Sequence, residues 1–331
     1  GGMGGEHLKL LARRPDVRIA GVCDEQPERA ERAGAQFGAP AWTDVGAFVR
    51  EAGLDVVHVC SPSGRHGDHG LLAAEQSIHV LCEKPLDLDL AKVDRLITLC
   101  ERKGVRLGCI FQKRMSQAMR AVHDAIAAGR MGRILSCSIA VKWWRSPEYY
   151  EKGGWKGTRQ LDGGAFANQG IHSLDLMVWM AGPAAEVEYA CLKTIGHEIE
   201  TEDFGIAVVR FGSGARGTIE ITTCCRPDLA TRLEIYGTNG SAAFDDARVT
   251  RFGLDGRDCL PELADHGTLT GGGSDPFAID FSGHEAQIDD FYTALATGRP
   301  HLVDGREARM SVDLLTKIYA KARLGFDEEI V

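Results

Sequence analysis

Three stretches concentrate the residues that could do chemistry. In "HVLCEKPL" (79–86) an apolar run stops on Glu83, Lys84 and Pro85. A lysine desolvated where a buried strand ends has its pKa pulled down from about 10.4 towards the operating pH, so its proton becomes exchangeable with a hydroxyl. A surface ion pair at a strand end would use the same tripeptide, which does not by itself separate the two. In "DGGAFANQGIHSLDLMVWMAG" (162–182) Asn168, His172 and Asp175 are spaced i, i+4, i+7 along one face of an expected helix. Ala167, Ile171, Leu174 and Val178 form the apolar stripe beside them, so the polar line suits a cleft wall, although a satisfied core histidine would look the same. In "KWWRSPEYYEKGGWKGTRQ" (142–160) Arg145, Tyr149 and Trp155 stand among Trp143, Trp144, Tyr150, Lys152, Lys156 and Arg159. Aromatic faces beside cations suit a sugar ring bearing an anionic group; a half-core, half-rim packing is the alternative.

A fourth signal is the opening "GGMGGEH", which runs directly into a helix. If Gly1 and Gly4 are the second and third glycines of a GxGxxG turn, a first strand and its leading glycine lie upstream of Gly1. Gly1, Gly2, Met3 and Gly4 would then lie against a pyrophosphate, with the helix amides facing the anion. A flexible terminus would also be rich in glycine. Asp24 adds weight, because it ends the next strand at roughly the 20-residue spacing of a ribose-binding carboxylate. The segment "DEQPER" places no base directly after Asp24, which favours NAD over NADP.

These residues need elements to hold them. Short apolar runs at 17–24, 55–62, 79–85 and 106–114 read as strands, alternating with helices near 26–36, 44–52, 66–76, 88–103 and 115–129. Continuous hydrophobicity means burial on both faces, as in a parallel sheet covered by helices. In open α/β sheets ligands bind beyond the carboxyl ends of the strands. Those ends carry Asp24, then Ser61, Pro62 and Ser63 with His66 following, then Glu83 and Lys84, then Gln112 and Arg114, which are the cofactor-side candidates. Past about residue 130 longer runs at 134–144, 186–195, 203–225 and 231–246, punctuated by "FGSGARG" and "GTNGSA", indicate an antiparallel sheet with one face open to a partner. Helices near 283–297 and 305–324 close the chain.

A chain of 331 residues suits two domains. The boundaries expected are 1–114 for dinucleotide binding and 115–331 for substrate binding and oligomerisation, with the last helices returning to the first domain. A net charge of -9 disfavours nucleic acid and anionic membrane surfaces as partners. No run reaches the roughly 18 apolar residues of a spanning helix, and no signal peptide precedes the first helix, so the cytoplasm is the default. Ten cysteines without CxxC pairs read as small reduced hydrophobes, and no metal is expected.

Taken together, "GGEH", "CD" (23–24), "CSPSGRHGDHGLLAAE", "HVLCEKPL", "FQKR", "DGGAFANQGIHSLDLMVW" and "GHEAQIDDFYTAL" resemble the Gfo/Idh/MocA oxidoreductases over nearly the whole chain. The resemblance implies an α/β chain: a Rossmann domain with a doubly wound parallel sheet, then an α+β domain whose large, mostly antiparallel open sheet pairs copies into dimers or tetramers. It implies hydride transfer between a sugar or polyol carbinol and NAD. Lys84 matches the family's catalytic lysine and His172 its histidine, while Asn168 replaces an aspartate found in many members. Acid/base work then falls on Lys84, with His172 and Asn168 fixing the carbinol. Lys84, Arg145, Tyr149, Trp155, Asn168 and His172 would line the substrate. The stretch around Asn168 is similar to the branch oxidising C3 of pyranosides or nucleotide-linked sugars. A redox-neutral, NAD-dependent glycoside-cleaving enzyme and a sugar or NAD sensor are the other readings.

Overall fold

The computed structural model describes residues 1–151, 154–263 and 280–322; Lys152 of the aromatic stretch and the end of the last expected helix lie outside them. The chain forms two compact units. One holds Gly1–Ile110 and Ile288–Arg309, the other the residues from Phe111 to Gln287 and from Met310 onward. The first segment closes at Ile110, ahead of the expected 114, because the Phe111 N–H already donates to Gln287 Oε1 of the second unit, 2.9 Å away.

In the first unit β1 (Val22–Cys23) pairs in parallel with β2 (Ala41–Trp42), and β3 (Val56–Val59), β4 (His79–Cys82) and β5 (Leu107–Cys109) form a parallel set in that order. Between them run α1 (Gly2–Leu11), α2 (Pro27–Phe37), α3 (Val45–Glu51), α4 (His66–Glu75) and α5 (Leu90–Lys103). Val80, Leu81 and Cys82 are buried on both sides of the sheet, the burial that an unbroken apolar run requires. Helix ends follow local chemistry. Asp44 and Asp89 cap the starts of α3 and α5 by accepting from Ala47 N and Ala91 N, and Gly38 and Gly104 end α2 and α5 in the left-handed region. The strand expected over 17–24 contracts to two residues. Val17 and Ile19 instead pack on the core of Leu10, Leu11, Leu81, Ile110, Ile288 and Phe291, without a ladder partner among the described residues.

The second unit is built on one sheet of eight strands: β6 (Ile134–Lys142), β7 (Ala184–Lys193), β8 (Phe204–Phe211), β9 (Arg216–Thr222), β10 (Arg232–Gly237), β11 (Gly240–Asp245), β12 (Arg248–Leu254) and β13 (Arg257–Asp258). Their order is β13-β12-β11-β10-β6-β9-β8-β7, antiparallel except for β6 beside β9. Helix α6 (Gln117–Ala127), the short α7 (Pro147–Glu151) and α8 (Gly164–Asn168), and α9 (Ile171–Ala181) belong to this unit, with α9 packed on β6 and β10. Burial alternates along β6, where Cys137, Ile139 and Val141 face the helices; Tyr189, Ile206 and Tyr236 are exposed. The sequence reading missed β12 and β13, since Arg248 and Arg251 interrupt the apolar rhythm and the register slips at Ala243/Phe244. Helix α10 (Ser282–Thr297) and α11 (Gly305–Lys321) complete the chain.

No helix among the described residues is long and apolar enough to cross a membrane. All ten cysteines are free thiols, and burial pushes Cys137 up to about 12.

Candidate active site

In the first unit the strand ends gather the expected cofactor-side residues. Helix α1 starts at Gly2 with Gly1 as an N-cap that offers no side chain, so the amides of Gly2, Met3 and Gly4 have no helical acceptor. Asp24, just past β1, stands 3.0 Å from the Gly1 nitrogen and accepts the Gln26 N–H at 3.0 Å. Free helix-start amides beside an ionised carboxylate fit a dinucleotide, pyrophosphate on the amides and ribose diol on Asp24.

After β3, Ser61 and Pro62 are half-buried and Ser63 is buried; Ser61 Oγ lies 3.0 Å from His69 Nδ1. After β4, Lys84 is half-buried and its peptide bond to Pro85 is cis. Two of the cofactor-side residues are engaged by protein groups. His66 is buried, with Nδ1 2.6 Å from the Pro85 carbonyl and Nε2 2.7 Å from the Ser61 carbonyl, so it braces the two strand-end loops against each other. Burial holds its pKa below the ordinary value despite both carbonyls. Glu83 is also buried. Its Oε1 meets His7 Nε2 at 3.0 Å and its Oε2 accepts the Lys84 N–H at 3.3 Å, which makes it a brace for Lys84.

A third such residue, Arg114, lies in the second unit. Arg114 is fully buried and grips Asp175 with both arms, Nε to Oδ2 at 2.8 Å and Nη2 to Oδ1 at 2.7 Å, while its guanidinium lies over Trp179. A bidentate pair of this kind locks the turn before α6 to α9. Arg114 therefore shapes the unit, and Asp175 belongs to that pair rather than to a cleft wall. Gln112 is half-buried in the same turn.

Asn168 and His172 do not share one helix. The chain breaks at Gln169-Gly170, where the Gly170 N–H closes α8 on the Ala165 carbonyl and no side chain would fit beside Ile221, so Asn168 ends α8 and His172 lies in the first turn of α9. Asn168 Nδ2 donates to Asp162 Oδ1 at 2.5 Å and stands 3.5 Å from the Tyr149 hydroxyl. Because a carboxylate only accepts, Asp162 assigns the amide its orientation and turns the carbonyl Oδ1 away as the acceptor. Asp162 is itself buried and takes the Gly157 N–H at 2.7 Å. The half-buried His172 ring meets Phe111 edge-on at 5.9 Å. Tyr149 has Lys156 Nζ 3.6 Å above its ring centre and the Arg145 guanidinium at 5.3 Å. Trp155 is half-buried and Arg145 is buried. Asn168, Gln169, Tyr149, Lys156 and Arg145 thus form one polar and aromatic cluster.

Behind it sits a carboxyl the sequence reading missed. Glu202 is buried, takes the Phe166 N–H at 2.9 Å and lies 3.0 Å from the Tyr319 hydroxyl; burial pushes its pKa up to about 8. Gly164, at φ 90, is the residue that fits, since any side chain there would strike this carboxyl. Between the ordinary carboxyl pKa and 8 the folded state keeps a proton that the unfolded chain releases, so stability falls as pH rises through that window. Glu202→Gln is expected to flatten the fall, seen as urea midpoints that change less between pH 5 and 8 than in the parent protein.

A separate group, His197, Asp203 and Cys224, brings three potential metal ligands within 4.8 Å. Asp203 is already occupied: it accepts the N–H groups of Ile195, Gly196 and His197 as well as His197 Nδ1. The cluster reads as a backbone clasp.

A unit of parallel strands with open helix-start amides beside Asp24, followed in the chain by a large, mostly antiparallel sheet, is the pattern of a two-domain dinucleotide-dependent oxidoreductase. Residues 1–111 match the oxidoreductase family NAD-binding Rossmann fold, and residues 119–243 match the GFO/IDH/MocA C-terminal domain. The chain is similar to the WlbA dehydrogenase of Bordetella pertussis, solved with NADH and UDP-GlcNAcA, at 30% identity and TM-score 0.85, covering 98% of this chain and 94% of that one. The WlbA dehydrogenase of Chromobacterium violaceum, also with NADH and UDP-GlcNAcA, gives 27% identity and TM-score 0.86 over 98% and 92%. Myo-inositol 2-dehydrogenase of Thermotoga maritima is 26% identical over 93% of this chain and 88% of its own. The chain belongs to the Gfo/Idh/MocA family. It is an oxidoreductase of the sugar and polyol dehydrogenase type, acting on CH–OH groups with NAD as cofactor.

Proposed function

We propose that the protein oxidises a secondary hydroxyl of a sugar derivative, with C3 of an anionic or nucleotide-linked pyranose favoured, and that Lys84 is the acid/base. When bound, NAD supplies the hydride acceptor. Lys84, neutral at Nζ, takes the hydroxyl proton as the C–H bond breaks. Asn168 Oδ1, aimed by Asp162, accepts a hydrogen bond from a sugar hydroxyl, and His172 orients the carbinol. Arg145 and Lys156 beside Tyr149 supply the positive field for a carboxylate or phosphate on the sugar, with Trp155 as a ring platform. Gly1, Gly2, Met3, Gly4, Asp24, Ser61 and Pro62 hold the cofactor. The observation that carries the substrate class is the pairing of two cations with Tyr149 and Asn168, together with the likeness to dehydrogenases solved with UDP-GlcNAcA.

The test is reduced-nicotinamide absorbance with NAD⁺ and a panel of inositols, free pyranoses, glycosides, UDP-GlcNAc and UDP-GlcNAcA. The expected result is NADH with UDP-GlcNAcA at a kcat/KM at least about tenfold above any uncharged sugar, the effect of one well-placed charge contact. Cleavage or rearrangement without net NADH would move the protein to the redox-neutral class. We also propose that the open sheet face bearing Tyr189, Ile206 and Tyr236 pairs copies of the chain.

A further inference from the structure

The first unit contains a buried chain of side chains that joins the start of the molecule to Lys84. Glu83 Oε1 lies 3.0 Å from His7 Nε2, His7 Nδ1 lies 2.8 Å from His58 Nδ1, and His58 Nε2 lies 3.1 Å from the Tyr292 hydroxyl. His7 is 1% exposed and Glu83 5%, so neither charge is screened by water. The proton count follows from burial: a carboxylate as enclosed as that of Glu83 needs a countercharge, and the His7 ring is the group in contact with it. Glu83 can only accept, so His7 Nε2 carries a proton. The two Nδ1 atoms face each other, so one donates and one accepts. A neutral His7 accepting from His58 and a doubly protonated His7 donating to it both satisfy these contacts; the second supplies the countercharge that the buried Glu83 carboxylate needs, and His58, protonated at Nε2 alone, then donates to Tyr292. Burial acts to lower the His7 pKa, but Cys60 and Glu83 outweigh it and hold it well above its ordinary value; burial and the His7 charge push His58 well below.

The other charged or titratable neighbours are few. Cys60 follows β3 beside His7, His66 faces Glu83 from α4 with Asp87 on its other side, and Arg14 lies over the Tyr292 ring. Glu83 also accepts the main-chain N–H of Lys84 at 3.3 Å, so its carboxylate lies against the residue that bears the amine.

We infer that His7 is a positioning residue for Lys84: its imidazolium balances the buried Glu83 carboxylate, so that Lys84 gives up its proton readily enough to act as a base. An unbalanced carboxylate at that distance would favour the ammonium form and raise the pH at which Lys84 becomes a base. The inference deepens the Lys84 reading proposed above and rests on it for its catalytic meaning. His58 and Tyr292 complete the chain by accepting the second His7 proton and anchoring it to α10.

The experiment is competitive acetylation of Lys84 by acetic anhydride between pH 5 and 10, read by mass spectrometry of the peptide that contains it. It uses the whole chain, needs no substrate, and reports the amine directly. In His7→Gln the titration midpoint of Lys84 is expected to rise by about one pH unit or more, the usual effect of one nearby uncompensated charge. In His7→Gln/Glu83→Gln, which removes both charges, it is expected to return to the parent value. If His7→Gln does not fold, Glu83→Gln alone decides: His7 loses its proton with its partner and the midpoint stays, whereas a fall of a unit or more overturns the balance. An unmoved midpoint in folded His7→Gln also overturns the inference. Turnover of Lys84→Met is measured alongside. Parent-like turnover in that variant removes the base role of Lys84 whatever the acetylation shows, so the two failures are distinct.

Discussion

Lys84→Met is expected to lower the rate of NADH formation by about 10²–10⁴ and to leave NAD⁺ binding within a few-fold of the parent. The side chain of methionine keeps the length and the apolar stem but has no proton acceptor. Lys84 reaches its position because β4 is buried along Val80, Leu81 and Cys82, and the chain then turns at Glu83, whose carboxylate holds the Lys84 amide. Asn168 cannot replace it, because an amide takes no proton. His172 is the remaining candidate, and a modest loss in Lys84→Met with a large loss in His172→Ala would reassign the base. Rapid mixing of enzyme, NAD⁺ and substrate, with fluorescence titration for cofactor affinity, separates the chemical step from binding. Turnover equal to the parent rejects the role of Lys84.

Arg114→Ala is expected to destabilise the second unit by about 3–5 kcal/mol, the cost of leaving one member of a buried ion pair alone. Both partners are 1% exposed or less, and Arg114 makes two hydrogen bonds to Asp175 in fork geometry. Arg114→Lys should lose much of the same stability, since a point ammonium cannot reproduce the fork. Arg114→Met/Asp175→Leu should recover most of it, because no charge is then stranded. Urea unfolding with unchanged slope gives the differences from midpoints. The parallel measurement is NAD affinity of folded Arg114→Lys. A large loss of affinity without a loss of stability would restore Arg114 to the cofactor site.

Much of the architecture could be read from residue patterning. Runs without alternation in the first half marked strands buried on both faces, and the polar residues that end them marked where a ligand would meet the sheet. Asp24, Lys84, Asn168 and His172 were visible for the same reason: each interrupts an otherwise apolar stretch. The glycine start announced helix amides without partners. The types of residue and their place at strand or helix ends are local properties, and local properties survive in a linear string.

What the tertiary structure decided is which polar residues face one another. His66, Glu83 and Arg114 sit at strand ends like Lys84, and by sequence all four were equivalent. Packing divides them. His66 bridges two carbonyls, Glu83 joins His7 from 76 residues away, and Arg114 joins Asp175 from 61 residues away. The break at Gly170, a position where Ile221 on a neighbouring strand leaves no room for a side chain, removed the single helical face that spacing alone suggested. Asp162, beside a glycine pair, and Glu202, in an acidic run with Glu198, Glu200 and Asp203, escaped notice because both settings look like an ordinary loop. A buried charge is stable only when another group meets it, and the meeting partner is chosen by the fold, across distances in sequence that no periodicity encodes.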